Sequence, residues 1–282
     1  MRHNCSKGTS IAIIAAMYAV AVAVGYLVFN RIVSAMPELW ALLVADIVAT
    51  VIIWGFGILY ENVSVYDPYW SVIPPVVFTF WAFFKGTWNL PVVLVLIAAW
   101  FWGIRLTGNW VRTFNGIAHE DWRYTQYRET QSPLLFHITN FFGLNMMPTL
   151  LVFACMVPGL LAFEATSSSW LIWLGFCMSI SAARIQYVAD SQIHRFRDNH
   201  PGEFCNVGLW KYGRHPNYFG EILFWWGIWV LYASCAGIDL LVIAPVAMTC
   251  LFLFISIPMM EKRQLANKPG YDEYRKHTRI LI

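Results

Sequence analysis

Long apolar stretches, separated by short polar segments, occupy most of the 282 residues. Most approach the roughly 20 residues that an α-helix needs to cross a bilayer. The pattern predicts eight spans, at Thr9–Phe29, Leu39–Tyr60, Ser71–Phe84, Leu90–Thr107, Leu134–Phe163, Trp170–Ala189, Phe219–Cys235 and Leu240–Met260. The third span is short and contains Pro74 and Pro75, which indicates a broken or tilted helix. We therefore predict an all-α, polytopic membrane bundle of about 7–8 transmembrane helices.

The composition supports a membrane protein and argues against nucleic acid as a partner. Hydrophobic residues make up 59% of the chain and charged residues only 12%, unlike a soluble domain. The formal net charge is only +3, and the basic residues lie in loops beside apolar helices rather than on one concentrated basic face. We expect a single integral membrane domain over residues 1–282.

The Lys and Arg residues predict the orientation of the spans. They cluster at the N-terminus with Arg2 and Lys7, between Arg105 and Arg128, between Arg195 and Arg214, and after Glu261, whereas the opposite side holds only Arg31 and Lys85. Because basic loops stay in the cytosol, both termini are predicted to be cytosolic. The first span is similar to a signal peptide, but its length favours a retained helix. We expect a bacterial inner membrane or the endoplasmic reticulum, with the active site open to the cytosol.

No metal site is predicted. Among the seven histidines, no two have the i, i+4 spacing of a helical zinc pair. The six cysteines are scattered without paired spacing, which is typical of free thiols. The chain also lacks a glycine-rich phosphate loop, so a nucleotide would have to be held by side chains.

Polar stripes lie at the predicted cytosolic ends of three helices. The first consists of Arg105, Asn109 and Arg112, whose spacing of four and three residues places them on one helical face. Simple anchoring of the two arginines at the membrane interface is the alternative reading.

The second stripe, at the end of the sixth span, lies deeper. Gln186, Asp190, His194 and Arg197 are separated by four, four and three residues. Anchoring does not explain Gln186 and Asp190, because they lie within the apolar periodicity, where an ionisable residue usually has a function.

The third stripe belongs to the segment GLWKYGRHPNYFGE, residues 208–221. Pro216 fits the first turn of a helix, and Asn217, Glu221 and Trp225 follow at steps of four. Glu221 would lie about one turn inside the membrane, where its charge needs a partner such as Arg214 or a ligand hydroxyl.

Together the stripes predict a polar cavity that opens to the cytosol. Its cations suit phosphate groups, and they are Arg105, Arg112, Arg197, Lys211, Arg214 and His215. Its acids, Asp121, Asp190 and Glu221, can accept hydrogen bonds from ribose hydroxyls or an adenine amine. This mixture favours a large nucleotide cofactor. The alternative is a buried network that only ties the helices together.

GLWKYGRHPNYFGE, with IRLTGNWVRTF, HEDWRY and DPYWS, resembles the membrane-bound steroid 5-alpha-reductase-like family, specifically its poorly characterised microbial and eukaryotic branch. The resemblance covers residues 65–282, although isoprenylcysteine carboxyl methyltransferases share its RHP-x-Y-x-G element. It implies an NADPH-dependent oxidoreductase that delivers hydride to the carbon–carbon double bond of an enone lipid, such as a 3-oxo-4-ene steroid.

The resemblance also implies roles for individual residues. The family's cofactor-contacting positions match Arg112, Gln186, Asp190, Arg197, Asn217 and Glu221. With the stripes and the residues between them, the predicted cofactor-binding set is Arg105, Arg112, Asp121, Gln186, Asp190, Arg197, Lys211, Arg214, His215, Asn217, Tyr218 and Glu221. A carboxyl-terminal segment with Glu261, Tyr271 and Tyr274 would cover the cofactor.

The substrate end departs from the family. With the prolines aligned, Asp67 stands where the family has a glutamate that polarises the substrate ketone, and Asn109 replaces a tyrosine. We predict Asp67, Tyr69 and Asn109 as catalytic residues, because hydride addition builds negative charge on the enone oxygen and requires hydrogen-bond donors. Asp67 would have to be protonated, with its pKa raised by apolar surroundings. Its alternative role is to cap a helix.

Two other functions stay open. An S-adenosylmethionine-dependent membrane methyltransferase would use the same cavity, although its cofactor offers the Lys and Arg residues only one carboxylate. A non-catalytic sterol- or lipid-binding protein is indicated by Asn109 at the tyrosine position. The oligomeric state and the identity of the lipid are not determined by these patterns.

Overall fold

The structure, a computed structural model, describes residues 5–282, so Arg2 of the basic N-terminus lies outside it. The helices of the described residues are α1 (Lys7–Ile32), α2 (Glu38–Leu59), α3 (Tyr69–Lys85), α4 (Leu90–Thr113), α5 (Trp122–Thr130), α6 (Pro133–Ile138), α7 (Met147–Ala162), α8 (Leu171–Asn199), α9 (Pro216–Ala236), α10 (Ile243–Leu251), α11 (Ile257–Asn267) and α12 (Tyr271–His277). This part of the chain has no β-sheet, and an isolated bridge pairs Gly213 with Arg279. The predicted all-α class is confirmed.

Within residues 5–282, seven helical segments are long and apolar enough to cross a membrane: Lys7–Ile32, Glu38–Leu59, Leu90–Thr113, Pro133–Ala162, Leu171–Asn199, Pro216–Ala236 and Leu240–Asn267. The chain is therefore built as a polytopic membrane protein. Which side each terminus faces stays a prediction. The remaining predicted span is α3, whose 17 residues extend for about 26 Å, less than the ~30 Å of a hydrocarbon core. It runs through Pro74 and Pro75 without a break.

Two of the membrane-spanning segments change their helical geometry along their length. Segment Pro133–Ala162 contains a π-helical stretch at Thr139–Met146 between α6 and α7. In this stretch the Asn145 amide donates to the backbone carbonyl of Asn140 at 2.8 Å. Wider turns leave backbone carbonyls open, and the buried Asn145 side chain satisfies one of them. A second π-helical stretch separates α10 from α11.

Contacts group the chain into two compact units, of which the first comprises Met1–Pro74 and Leu106–Ala154. Here the loop before α3 packs against the loop before α5. The side-chain amide of Asn62 donates to the backbone carbonyls of Ile117 at 2.6 Å and His119 at 3.0 Å. These two loops therefore lie on the same side of the helices of this unit.

The second unit comprises Pro75–Arg105 and Cys155–Ile282. Its helices α8 and α9 approach each other through glycines. A Cβ atom on Gly175 would lie 2.4 Å from the backbone nitrogen of Leu231, and one on Gly227 would lie 2.8 Å from the carbonyl oxygen of Gly175. The backbones pack directly, as small residues allow in membrane helices. The single domain inferred from the sequence stays a prediction.

Candidate functional site

A buried network in the second unit brings together four residues of the predicted cofactor-binding set. Arg105 of α4 donates through Nη1 to Asp190 Oδ2 at 2.7 Å and through Nη2 to Gln186 Oε1 at 2.8 Å. Gln186 in turn donates to Glu221 Oε2 at 2.6 Å. Polar side chains from α4, α8 and α9 thus form one connected chain of hydrogen bonds.

Glu221 is the most enclosed carboxylate of this network, with 4% of the residue exposed. Besides Gln186, its donors are the indole Nε1 of Trp102 at 3.0 Å and the indole Nε1 of Trp225 at 3.1 Å. Three N–H donors compensate for the water that the carboxylate loses on burial. The partner suggested by the sequence, Arg214, contacts Glu261 instead.

A cavity of about 100 Å³ opens in the second unit next to this network. Its walls come from the end of α8, the following loop, the start of α9 and helices α11 and α12. The lining residues are Ile193, Arg197, Glu203, Phe204, Cys205, Trp210, Arg214, His215, Asn217, Tyr218, Met260, Gln264, Lys268, Tyr271 and Tyr274. Five belong to the predicted cofactor-binding set: Arg197, Arg214, His215, Asn217 and Tyr218. A side-chain hydrogen bond between Asp190 and Asn217 links the network to the cavity.

The carboxyl-terminal segment forms one wall of the cavity. Arg214 donates through Nε to Glu261 Oε1 at 2.6 Å, and through Nη1 to the carbonyls of Thr278 and, at 2.8 Å, Arg275. The backbone N–H of Arg214 donates to the carbonyl of Arg279 at 2.9 Å. Arg214 therefore holds α11, α12 and the residues after them against the start of α9.

Aromatic rings and cations line the cavity together. The rings of His215 and Tyr218 are stacked with centroids 5.4 Å apart. Arg197 and Lys268 add positive charge to the lining of the same cavity. Aromatic faces bind flat heterocycles, and a guanidinium fork matches a phosphate. The lining is thus chemically suited to a nucleotide.

Two titratable side chains of the cavity keep their protons at neutral pH. Burial raises the pKa of Tyr271 to about 12, and the Glu261 carboxylate acts in the same direction. Burial also raises the pKa of the Cys205 thiol, against the opposing effects of a backbone hydrogen bond with Val207 and the Arg197 charge. Tyr271 is therefore a hydrogen-bond donor, and a thiolate nucleophile is disfavoured. In residues 5–282, no group of three or more His, Cys, Asp or Glu side chains could hold a metal ion.

Three residues of the predicted cofactor-binding set belong neither to the buried network nor to the cavity lining. Lys211 is exposed on a 3₁₀ turn before α9. Arg112 and Asp121 belong to the first unit. Asp121 caps α5 by accepting from the backbone N–H of Arg123 at 2.9 Å, and it pairs with Arg123 Nε at 2.8 Å. Asp121 thus has a local structural role.

The residues predicted to face the substrate also lie in the first unit. Asp67 follows a 3₁₀ turn, Tyr69 begins α3, and Asn109 lies near the end of α4. The Asp67 carboxylate accepts a hydrogen bond from Tyr124 Oη and lies 4.0 Å from Arg123 Nη2. These contacts tie the loop before α3 to the start of α5.

The interior of the first unit contains a carboxylate that the sequence patterns did not single out. Asp46 of α2 accepts from Tyr69 Oη at 2.7 Å. Nearby, Thr50 Oγ1 lies 2.8 Å from Thr149 Oγ1, which lies 2.6 Å from Tyr66 Oη. An acidic residue inside an apolar span is itself a signal of a polar site. Its partner Tyr69 could not be predicted from the sequence pattern, because it lies 23 residues away on α3.

Asp67 should make the stability of the protein depend on pH. Burial, opposed by the Arg123 charge and the Tyr124 hydrogen bond, raises the pKa of Asp67 from 3.8 to about 6. A carboxyl group with a raised folded-state pKa stabilises the fold when protonated, and this contribution is lost as the pH rises through the folded pKa. Between about pH 4 and about pH 6, the thermal unfolding midpoint of the wild type should fall relative to that of Asp67→Asn. Parallel pH profiles for the two proteins would contradict this expectation.

The helices form an all-α polytopic membrane bundle, with a polar cavity between the end of α8, the start of α9 and α11. The chain belongs to the DUF1295 family, described as a protein of unknown function, whose model matches residues 53–278. The family is steroid 5-alpha-reductase-like. An uncharacterized protein of Schizosaccharomyces pombe is 23% identical over 234 residues, which cover 73% of this chain and 67% of the yeast protein. No solved structure matches the chain.

Proposed function

We propose that this protein is an NADPH-dependent membrane reductase that acts on the carbon–carbon double bond of an enone lipid or steroid-like molecule. The observation that carries this proposal is the cavity of the second unit, where Arg197 and Lys268 lie among aromatic rings. Asn217, which lines the cavity, is hydrogen-bonded to Asp190 of the buried network. The steroid 5-alpha-reductase-like character of the family supports the same class of cofactor.

The side chains of the cavity fit a phosphate-bearing nucleotide. Arg197 and Lys268 would bind phosphate oxygens, Tyr271 would donate a hydrogen bond, and the stacked pair His215 and Tyr218 would contact a flat ring. The volume of about 100 Å³ is below the roughly 300–1,000 Å³ of pockets that enclose a whole ligand, so the cavity would hold one part of the dinucleotide. When bound, the nicotinamide would supply the hydride.

The substrate would be polarised by residues of the first unit. As the distal alkene carbon is reduced, negative charge grows on the enone oxygen and a proton must reach the adjacent carbon. Asp67 fits the first requirement, because a pKa of about 6 leaves part of its population protonated near neutral pH. Tyr69 adds a hydroxyl held by Asp46, and Asn109 adds an amide donor.

Thermal unfolding of the detergent-purified full chain with NADPH, NADH and S-adenosylmethionine tests the proposal. A ligand that binds only the folded state stabilises it by about 2.7 kcal/mol at 100 times its Kd. We expect NADPH to raise the midpoint more than NADH, because only NADPH carries a 2'-phosphate. Arg197→Gln should remove this shift. Lys262→Gln should retain it, because Lys262 is an exposed cation of α11 that does not line the cavity.

The other outcomes are equally informative. A shift with S-adenosylmethionine alone would make the protein a methyltransferase. No shift with any of the three ligands would support a non-catalytic lipid-binding protein. A full NADPH shift in Arg197→Gln would overturn the assignment of the cofactor to this cavity.

A further inference from the structure

Arg184 is a charged residue for which the proposed reductase provides no role. It lies near the middle of α8, a helix of 29 residues that runs from Leu171 to Asn199. Its side chain is exposed, whereas its neighbours Ala183 and Gln186 are buried. Within residues 5–282, no hydrogen bond or ion pair reaches the Arg184 side chain. An arginine thus points out of the bundle from the centre of a membrane-spanning helix.

The length of α8 places Arg184 inside the lipid. With a rise of 1.5 Å per residue, the helix is about 43 Å long and Arg184 lies about 20 Å from each end. Wherever an upright α8 crosses a hydrocarbon core of ~30 Å, Arg184 is at least about 6 Å inside it. The exposed Trp170 and Trp173 mark an interface at the start of α8, which leaves Arg184 about 10 Å from the opposite interface.

We propose that Arg184 binds the headgroup phosphate of an anionic phospholipid, together with Tyr187 and Arg195. Tyr187 follows at i+3 on the same face and is 63% exposed. Arg195 is also exposed. Relative to Arg184, it lies about 16 Å further along the helix axis and is rotated by only about 20° around that axis. The level of the headgroups therefore falls between the two arginines, whose long stems extend along the helix to reach it. The lipid phosphate thus provides the negatively charged partner that no described residue of the chain provides for Arg184.

Another copy of this chain is a poorer partner for Arg184. The carboxylates Asp46, Asp190 and Glu221, which lie inside the described spans, are all buried. A symmetric pair of chains joined through this face of α8 would bring two Arg184 side chains together, which is repulsive. The next residue on this face, Val188 at i+4, is apolar and 40% exposed, as expected for contact with lipid tails.

The test measures the apparent affinity of the detergent-purified full chain for phosphatidylglycerol by thermal unfolding in mixed micelles, with phosphatidylcholine and diacylglycerol as comparison lipids. Wild type should be stabilised most by phosphatidylglycerol. In Arg184→Gln the apparent affinity should fall about tenfold to a hundredfold, the range for losing a hydrogen-bonded ion pair. Arg31→Gln, which changes an exposed arginine in the last turn of α1, should bind like wild type.

Each remaining outcome decides the question. Arg184→Lys keeps the charge without the guanidinium fork and should bind with intermediate affinity, and Arg195→Gln should also bind more weakly. Equal stabilisation by all three lipids, or undiminished phosphatidylglycerol binding in Arg184→Gln, would overturn the proposal. A change in oligomeric state in Arg184→Gln without a lipid effect would assign this face to a protein partner. Equal stabilisation of wild type by soluble glycerol phosphate would show an anion site independent of lipid.

Discussion

Gly175→Ala should lower the free energy of unfolding by about 3 kcal/mol, because the new methyl group has no space. Its Cβ would lie 2.4 Å from the nitrogen of Leu231 and 2.7 Å from the carbonyl oxygen of Gly227. Both are backbone atoms, so no change of rotamer can relieve the contact, and α8 and α9 must move apart. Gln186 of α8 and Glu221 of α9 are hydrogen-bonded across this helix pair, so the buried network should loosen as well.

The matched control is Gly108→Ala, which adds the same methyl group to helix α4. No atom lies within 4 Å of the Cβ that it would create, so only the intrinsic preference of alanine for helix remains. That preference should stabilise the protein by about 0.5–1 kcal/mol. Thermal unfolding of both variants in the same detergent checks the pair. Equal midpoints would mean that the α8 and α9 backbones are not in direct contact.

The membrane-spanning helices could be predicted because their signal is length and hydrophobicity, which are local properties of the chain. Seven predicted spans correspond to helical segments that can cross a bilayer. The third span is the instructive exception. Pro74 and Pro75 suggested a break, but both lie in the first half of α3, and the helix continues to Lys85. Neither proline can donate to the carbonyl four residues earlier, so α3 continues without these two backbone hydrogen bonds.

The candidate site could be predicted only in part, because spacing identifies the face of a helix but not the partner opposite it. The i, i+4 spacing of Gln186 and Asp190 is a local property, so their common helical face could be predicted from the sequence. That Glu221 accepts from two indoles depends on Trp102, which is 119 residues away in sequence. The pairing of Arg214 with Glu261 spans 47 residues and depends on how the carboxyl-terminal helices return to α9. Such contacts are properties of the tertiary fold.

The same limit explains the two charged residues that the stripes did not include. Asp46 and Arg184 are single ionisable residues inside apolar spans, and no periodic pattern accompanies either one. An ionisable residue inside an apolar span is costly, so each residue alone indicates a polar site. Their environments differ completely, since Asp46 is buried against Tyr69 and Arg184 is exposed. Only the fold distinguishes an internal polar contact from a surface that faces lipid.

Glu221→Leu should lower the free energy of unfolding by about 3–5 kcal/mol, because it leaves three buried N–H donors unsatisfied, at a cost of about 1–3 kcal/mol each. Leucine leaves the indole N–H groups of Trp102 and Trp225 and the amide of Gln186 without their acceptor. Glu221→Gln keeps one acceptor oxygen, but its NH₂ group faces other donors, so its effect should be smaller yet still destabilising. Thermal unfolding without ligand measures both.

The control for Glu221 is a carboxylate of the same unit at the surface. Glu164 pairs with Lys85 at 2.6 Å, but its side chain is 53% exposed, so Glu164→Gln should change stability by less than about 1 kcal/mol. An equally small effect of Glu221→Leu would mean that water replaces the carboxylate as acceptor for the indoles and the amide. If the buried network instead stabilises the second unit, a Glu221 variant can lose nucleotide binding either because the unit is destabilised or because a cofactor contact is lost. Binding must then be compared with Arg197→Gln, which removes a cation from the cavity wall and leaves the hydrogen bonds of Glu221 in place.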